Sequence, residues 1–302
     1  MLLVLGGCTG SGGGSGGGSA DGIPATTGPP TTGPSASGPS SPRPPTPAPA
    51  GTAPPGTTPP GTTPPAAGSR PRWRPTPGTT WQWQLSGVVD TRVDAAVYDI
   101  DGFTSSAALV ARLHAAGRRV VCYIDVGTYE DFRPDRAAYP ASVLGSGDGW
   151  PGERWVDVRR LAVLRPIVAR RFDMCRAKGF DAVEPDNVDG YLNHSGFPLT
   201  GADQLAFNRM VAGLAHARGL AVGLKNDLDQ VPELVGAFDF AVNEQCAEYR
   251  ECDALAPFVR RGKAVFEAEY ALPVAAFCPE ARRMRFSGLL KHLVLDAWRR
   301  SC

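Results

Sequence analysis

The chain has 302 residues, with 31 basic and 30 acidic side chains and a formal net charge of +1. So even a balance offers no global attraction to nucleic acid, and no apolar run approaches the ~18 residues of a membrane span. The 36 glycines and 29 prolines crowd towards one end, which divides the chain before any secondary structure is considered.

Residues 1–8 end in the string LGGC, which resembles a bacterial lipoprotein processing site with Cys8 as the lipid-carrying residue. The basic n-region and longer apolar stretch of a complete secretory signal are missing, so these residues are expected to be the remnant of one. Residues 9–78 are mostly Gly, Ser, Thr, Pro and Ala, running from SGGGSGGGS to PPGTTPPGTTPP. Between Ile23 and Trp73 there is no Val, Leu, Ile, Phe, Tyr or Trp. Such a stretch buries too little apolar surface to offset its chain entropy, and a disordered linker is expected. Its Gly/Ser part is a flexible coil and its Pro-rich part a stiffer polyproline II spacer. The combination implies an extracellular domain tethered to the cell surface, with the membrane reached only through a lipid anchor at Cys8.

Residues 79–302 are near the ~250 typical of a (β/α)8 TIM barrel. Short β-branched or aromatic runs alternate here with helical stretches, the pattern of a parallel sheet wrapped by helices. The strands predicted in chain order are WQWQLSG from Trp81, AAVYDID ending at Asp99 and Asp101, RRVVCYIDVG ending at Asp125, and a weak fourth at 154–157. The fifth is DAVEPD within 181–191, the sixth LAVGLKND, the seventh FDFAVNEQC and the eighth KAVFEAEY. Helices are predicted over 105–116, 161–178 and 203–218, and Gly117, Gly179, Gly219, Gly236 and Gly262 supply helix stops. The basic residues Arg282, Arg283, Arg285, Lys291, Arg299 and Arg300 are read as the solvated face of a C-terminal helix. An open doubly wound sheet is the alternative architecture, but no Gly-rich phosphate loop follows the first strand.

Besides Cys8 there are six cysteines, Cys122, Cys175, Cys246, Cys252, Cys278 and Cys302. An even number in an exported chain favours disulfides. Proximity favours Cys246–Cys252 and Cys278–Cys302, which leaves Cys122–Cys175. A zinc site is the competing reading, but C-x5-C lacks the short ligand spacing and the four histidines are scattered. No metal and no cofactor is expected.

The stretch DAVEPDNVDGY places Glu184, Asp186 and Asp189 within six residues, a costly crowding unless something cationic uses it. Barrel enzymes gather catalytic groups at strand C-terminal ends. Asp99, Asp101, Asp125, Glu184, Asp186, Asp189, Asp227, Glu244, Glu267 and Glu269 are all assigned there, as are Lys225 and Asn226. Ten carboxylates around one lysine would draw in a cationic sugar better than a neutral one. Glycoside hydrolysis uses two carboxyls flanking the bond, and Asp186 and Glu244, two strands apart, are the candidate pair. Trp81, Trp83, Tyr123, Tyr129, Tyr191 and Tyr270 are candidate stacking faces for sugar rings.

Taken together, VYDID, CYIDVGTYEDFRPD, ERWVDVR, GFDAVEPDNVDGY, GLKND and FAVNEQCAEYREC resemble the barrel domain of glycoside hydrolase family 114, the endo-α-1,4-polygalactosaminidases. The resemblance runs from about Trp81 to Tyr270. It implies a TIM barrel that cuts α-1,4-linked galactosamine polymers internally with a pair of carboxylates. The aspartate of the family's PDN string matches Asp186, the implied nucleophile. The glutamate of its NEQC string matches Glu244, the implied acid/base. Asp99, Tyr123, Asp125, Asp189, Lys225, Asn226, Glu267 and Tyr270 would line the sugar subsites. The expectation is thus a monomeric enzyme acting on a cationic amino-sugar polysaccharide and not on nucleic acid. A non-catalytic polysaccharide-binding barrel and a metal-dependent hydrolase, with the acids as oxygen ligands, are the alternatives.

Overall fold

The computed structural model describes residues 72–302. The expectations for Cys8 and for most of the linker lie outside the described residues. Residues 72–78 run across the barrel's N-terminal end, where Arg74 Nε donates to Asp239 Oδ1 at 2.9 Å and the Trp73 ring meets Phe240 at 6.4 Å.

Strands β1 (Trp81–Gln84), β2 (Val97–Asp101) and β3 (Arg119–Asp125) pair in parallel, with helix α1 (Ala107–Ala115) between the second and third. The chain then leaves the barrel. Strands β4 (Thr128–Glu130), β5 (Leu144–Gly147) and β6 (Glu153–Val156) form a separate antiparallel sheet in the order β4-β6-β5. The run at 154–157 is therefore a strand, but not the fourth barrel strand expected of it. Arg171 anchors the excursion: its guanidinium donates to the Asp125 carbonyl at 2.6 Å, to Glu130 at 3.3 Å and to Asp135 at 2.8 and 2.9 Å. Arg133 adds bonds to Asp101 at 2.8 Å and Glu130 at 2.6 Å.

Helix α2 (Leu161–Lys178) returns the chain to the barrel and stops at Gly179, whose φ of 93° is the left-handed conformation that glycine adopts without steric penalty. Then follow β7 (Ala182–Asp186), α3 (Gly201–His216), β8 (Ala221–Lys225), α4 (Val231–Leu234) and β9 (Phe240–Glu244). Thr200 and Asp203 cap α3 reciprocally, each side chain accepting from the other's backbone amide. The short helices α5 (Cys246–Tyr249) and α6 (Ala256–Arg260) precede β10 (Val265–Glu269) and α7 (Val274–Met284). The eighth barrel strand is β11 (Ser287–Lys291), and β12 (Arg299–Ser301) folds back antiparallel on it. A C-terminal helix was expected here. Only Arg282 and Arg283 of the basic residues lie in a helix, Lys291 is buried in β11, and Arg299 and Arg300 sit on β12.

The sheet order β1-β2-β3-β7-β8-β9-β10-β11-β12 makes a nearly closed barrel. Its two edges meet through the β11–β12 hairpin rather than a direct ladder. Trp81 Nε1 donates to the Ser287 carbonyl at 2.7 Å, Gln82 Nε2 to that of Ala297 at 2.9 Å, and the Leu85 amide to that of Leu295 at 2.9 Å. Alternate residues of each strand separate into two cores. Trp81, Trp83, Val97, Val121, Phe240, Val242 and Phe266 fill the interior, while Tyr98, Ile100, Val120, Val183, Val222 and Leu224 pack with α2 and α3 residues such as Phe172 and Phe207. The interior is aromatic, with the Trp81 ring 4.9 Å from Phe266 and 5.6 Å from Trp83. Gly223 makes room for it, because a Cβ there would strike the Phe240 ring. The disulfides are Cys122–Cys175, joining β3 to α2, Cys246–Cys252, spanning α5, and Cys278–Cys302, tying the last residue to α7. These are the three expected pairs. Among the described residues no helix is long and apolar enough to cross a membrane.

Candidate active site

Three neighbouring strands end in the same way. Asp186 closes β7, Lys225 closes β8 and Glu244 closes β9, and each is followed by a residue in the left-handed region: Asn187 (φ 58°), Asn226 (φ 47°) and Gln245 (φ 64°). This conformation is uncommon without glycine, and asparagine tolerates it best. It turns the main chain sharply away, so the last side chain of each strand stays inside the barrel mouth. Alternation along the strands then puts Glu184, Asp186, Lys225 and Glu244 on the same face as the interior core.

Lys225 is the centre of the site. Its ammonium lies 2.9 Å from Asp186 Oδ1, 3.1 Å from Glu244 Oε2 and 3.5 Å from Glu184 Oε1, and 4.9 Å from the centroid of the Trp83 ring. The lysine is only 3% exposed, but Asp186 and Glu244 are 16% and 24% exposed and open outward. Two oxygens held by one nitrogen at these distances are at most 6.0 Å apart, the sum of the two contacts. Each carboxylate also receives a phenol: Tyr123 donates to Asp186 Oδ2 at 2.7 Å, and Tyr270 to Glu244 Oε1. The Asn187 amide donates to Asp186 Oδ1 at 2.7 Å.

Charge follows from this geometry. Burial works against ionisation of Asp186, but the Lys225 charge and the bonds from Tyr123, Lys225 and Asn187 outweigh it, holding the carboxyl below its usual range. Burial likewise opposes the Lys225 cation, and Asp186, Glu244 and Glu184 together keep it protonated well above its ordinary value. Burial and then the neighbouring carboxylates push the Tyr123 and Tyr270 phenols well up, so both remain donors.

Other residues expected to meet substrate have different surroundings. Asp125 is 1% exposed and spent on its own loop. It accepts from the amides of Gly127 and Thr128 at 3.0 and 2.8 Å, from the Thr128 hydroxyl, and from Asn187 Nδ2 at 2.7 Å. It thereby ties the β3–β4 turn to the residue after Asp186. Asn226 Oδ1 accepts from the Glu244 amide at 3.0 Å and from Asn243 at 3.2 Å, so it positions the glutamate's backbone. Asp99 lies deep in the barrel at 1% exposure, near enough to Glu184 to feel its charge. Asp189 is half-buried, two residues past Asn187. Glu267 and Glu269 sit on the opposite face of β10 from Phe266 and Ala268 and point to the helix layer, not the mouth. Glu269 accepts from the Ala247 amide at 2.9 Å at the start of α5, and Glu267 is buried beside the Cys246–Cys252 disulfide. Among the described residues that trio of Cys246, Cys252 and Glu267 is the group with metal-like spacing, but its two sulfurs are bonded to each other.

The field of ten carboxylates therefore shrinks. Asp101 is neutralised by Arg133, Asp125 is saturated, Asp227 accepts from Asn208 at 2.8 Å, and Glu267 and Glu269 face away. Of the aromatic residues, Trp81 is interior core and Tyr129 packs edge-on against Tyr139. Asn187 was not singled out. Its clue was its position directly after the last strand carboxylate, where asparagine is the residue best suited to a left-handed turn.

A barrel whose mouth presents two half-open carboxylates on alternate strand ends is built as glycoside hydrolases are. The comparisons agree: the model of glycoside-hydrolase family GH114 matches residues 62–302, and the chain belongs to that family. Among solved structures, Ega3 of Aspergillus fumigatus, in complex with galactosamine, is 41% identical with a TM-score of 0.74, covering 78% of this chain and 100% of that one. The glycoside hydrolase domain of PelA from Pseudomonas aeruginosa is 14% identical with a TM-score of 0.59, over 75% of this chain and 99% of that one, a likeness of fold. No curated protein sequence matches the chain.

Proposed function

We propose that this glycoside hydrolase cuts α-1,4-linked galactosamine-containing polysaccharide internally, with retention, using Asp186 as nucleophile and Glu244 as acid/base. The carrying observation is the separation of at most 6.0 Å between oxygens of the two carboxylates sharing Lys225. It suits the ~5–5.5 Å of a retaining pair better than the ~6.5–9.5 Å that leaves room for water in an inverting one. Family membership and the galactosamine bound by Ega3 support the sugar.

In the first half of the reaction Asp186 attacks the anomeric carbon while Glu244 passes its proton to the departing glycosidic oxygen. In the second half Glu244 takes a proton from water, whose oxygen displaces Asp186 from the sugar. Asp186 is fit to attack because Lys225, Tyr123 and the Asn187 amide hold it ionised. Tyr270 fixes the rotamer of Glu244 by its hydrogen bond. A protonated amino sugar suits the remaining negative charge of the mouth. Three disulfides fit an oxidising, extracellular setting, and a lipid at Cys8 would keep the monomeric enzyme at the cell surface.

The test is incubation of the purified chain with partly deacetylated polygalactosamine, with and without chelator. New reducing ends are expected in both, with the anomeric configuration of the cut bond preserved by NMR, and none from Asp186→Asn or Glu244→Gln. Binding without cleavage, or activity that chelation abolishes, would overturn the reading.

A further inference from the structure

Below the pair just assigned lies a group that the two chemical steps leave unused. Asp99 on β2 and Glu184 on β7 project into the barrel interior, 1% and 0% exposed. Among the described residues no backbone amide, hydroxyl or amide side chain donates to any of their four oxygens. Their polar company is each other, near enough for the charge of Glu184 to act on Asp99, and the Lys225 ammonium 3.5 Å from Glu184 Oε1. Buried carboxylates normally collect several donors. Here each lacks them, and two carboxyls buried together without a donor can bond to each other only if one of them brings a proton.

We infer that Asp99 and Glu184 share a single proton, and that the resulting single negative charge serves as the underside anchor holding Lys225 between Asp186 and Glu244. The inference rests on the reading of those two as the catalytic pair, and it makes Asp99 and Glu184 positioning residues. The number of protons matters. With none, two charges below the lysine would draw it down, away from Asp186 and Glu244. With two, nothing would oppose the pull from above, and the ammonium would be left to Asp186 and Glu244 alone. With one, Lys225 has three carboxylate partners for its three N–H bonds. Its positive charge also stays compensated while Asp186 is esterified and has lost its own charge.

The groups facing the pair agree with one proton. Tyr123 from β3 and Tyr270 beyond β10 donate upward to Asp186 and Glu244, the Trp83 ring from β1 packs against Lys225, and Lys225 is the cation within reach. Burial, then the charge of Glu184, raises Asp99 well above the usual carboxylate range. Burial raises Glu184 to about 7, against the pull of Lys225. The proton thus resides on Asp99 and the charge on Glu184, next to the lysine.

The arrangement makes the two residues unequal, and the test uses that. In Asp99→Asn an amide replaces the protonated carboxyl as donor, and Glu184 keeps its charge beside Lys225. In Glu184→Gln the charge moves to Asp99, which is not among the ion-pair partners of the lysine. The first readout is infrared difference spectroscopy at neutral pH, wild type minus Asp99→Asn, on the full chain without substrate. A protonated-carboxyl stretch that shifts in heavy water is expected, and its absence overturns the proposal. The second is the pH profile of kcat and KM. Glu184→Gln is expected to lower kcat by about tenfold or more, the equivalent of one pKa unit in a neighbouring group, with KM little changed. Asp99→Asn is expected to lose less and to remove the limb near neutrality. Equal losses in the two variants with an unaltered profile would make the pair merely structural and overturn the proposal. Because the infrared measurement needs no substrate, its failure is distinct from failure of the catalytic assignment, which the Asp186→Asn variant tests alone.

Discussion

Lys225→Met is the substitution that most directly probes how the site works. The lost contact is a unit charge 2.9 Å from Asp186 Oδ1, worth about 6 kcal/mol at an effective dielectric constant of ~20. Rearrangement and water entry absorb part of that, and carboxylates beside a single cation typically shift by ~1–3 pKa units. The sign is fixed by the direction of the shift. Asp186 is held below its unfolded value, so its stabilising contribution is complete above that value and is lost as pH falls through the lower folded one. Without Lys225 that loss, and the acidic limb of kcat/KM, should move up by ~1–3 pH units. Three carboxylates left without their cation should cost about 3–5 kcal/mol of stability, or roughly 2–4 °C of melting temperature for each kcal/mol in a domain of this size. The assay is reducing-end release from polygalactosamine across pH 4–9, with melting curves in the same buffers. Lys225→Arg, which keeps the charge, should leave the limb nearly in place. A Lys225→Met protein that is folded and active, with its acidic limb unmoved, would refute the reasoning.

The remaining predictions concern the supports of the site. A Cβ in Gly127→Ala would run into the Asn187 carbonyl and come within 2.9 Å of Asn187 Cβ. Because Asn187 follows Asp186, kcat should fall by an order of magnitude or more, as ~1 Å misplacements do, which steady-state kinetics would show. Glu267 is pushed up to about 8 by burial, then by Glu269 and Glu280. Its contribution to stability is therefore whole below the unfolded carboxyl value and lost as pH rises through the folded one. Glu267→Gln should accordingly gain in melting temperature over wild type between pH 5 and pH 8, and a constant difference would count against it. The Cys122–Cys175 bridge closes a sequence separation of 53 and Cys246–Cys252 one of 6. Loop entropy then predicts losses of about 4 and 2 kcal/mol for the paired serine variants, measurable as urea midpoints in that order.

Seven of the eight barrel strands were legible because each is a short apolar run closed by a polar residue, and helix α2 was legible over its full length. The two errors have a common cause: local pattern specifies a strand but not its partner. The run at 154–157 is a strand in the antiparallel excursion, held against the barrel by Arg171 of α2 and by the excursion's own Arg133 reaching Asp101. The real eighth strand, SGLLK, lies among arginines and carries a lysine, which reads as continuing helix. Lys291 can be buried there because its ammonium donates to the carbonyls of Asp296 and Trp298 at 2.7 and 2.6 Å, which only the folded hairpin supplies. One false strand and one missed strand left the count at eight. Asp186 and Glu244 both moved down by one position, so their spacing of two strands survived.

The charge count failed for a reason that was partly readable. In KAVFEAEY the period of two that puts Phe266, Ala268 and Tyr270 inside must put Glu267 and Glu269 outside, as the two cores show. The same parity keeps Glu184 with Asp186. What no pattern could show is that Arg133 comes back from the excursion to neutralise Asp101, or that Asp125 spends its oxygens on Thr128 and Asn187. On the proposed reading, affinity for a cationic sugar would rest less on a broad acidic field than on the few carboxylates around one buried lysine. That arrangement changes what selects the substrate. A broad field would act at a distance and be screened by salt, whereas a buried cluster discriminates by contact, at the two carboxylates whose outer edges are open.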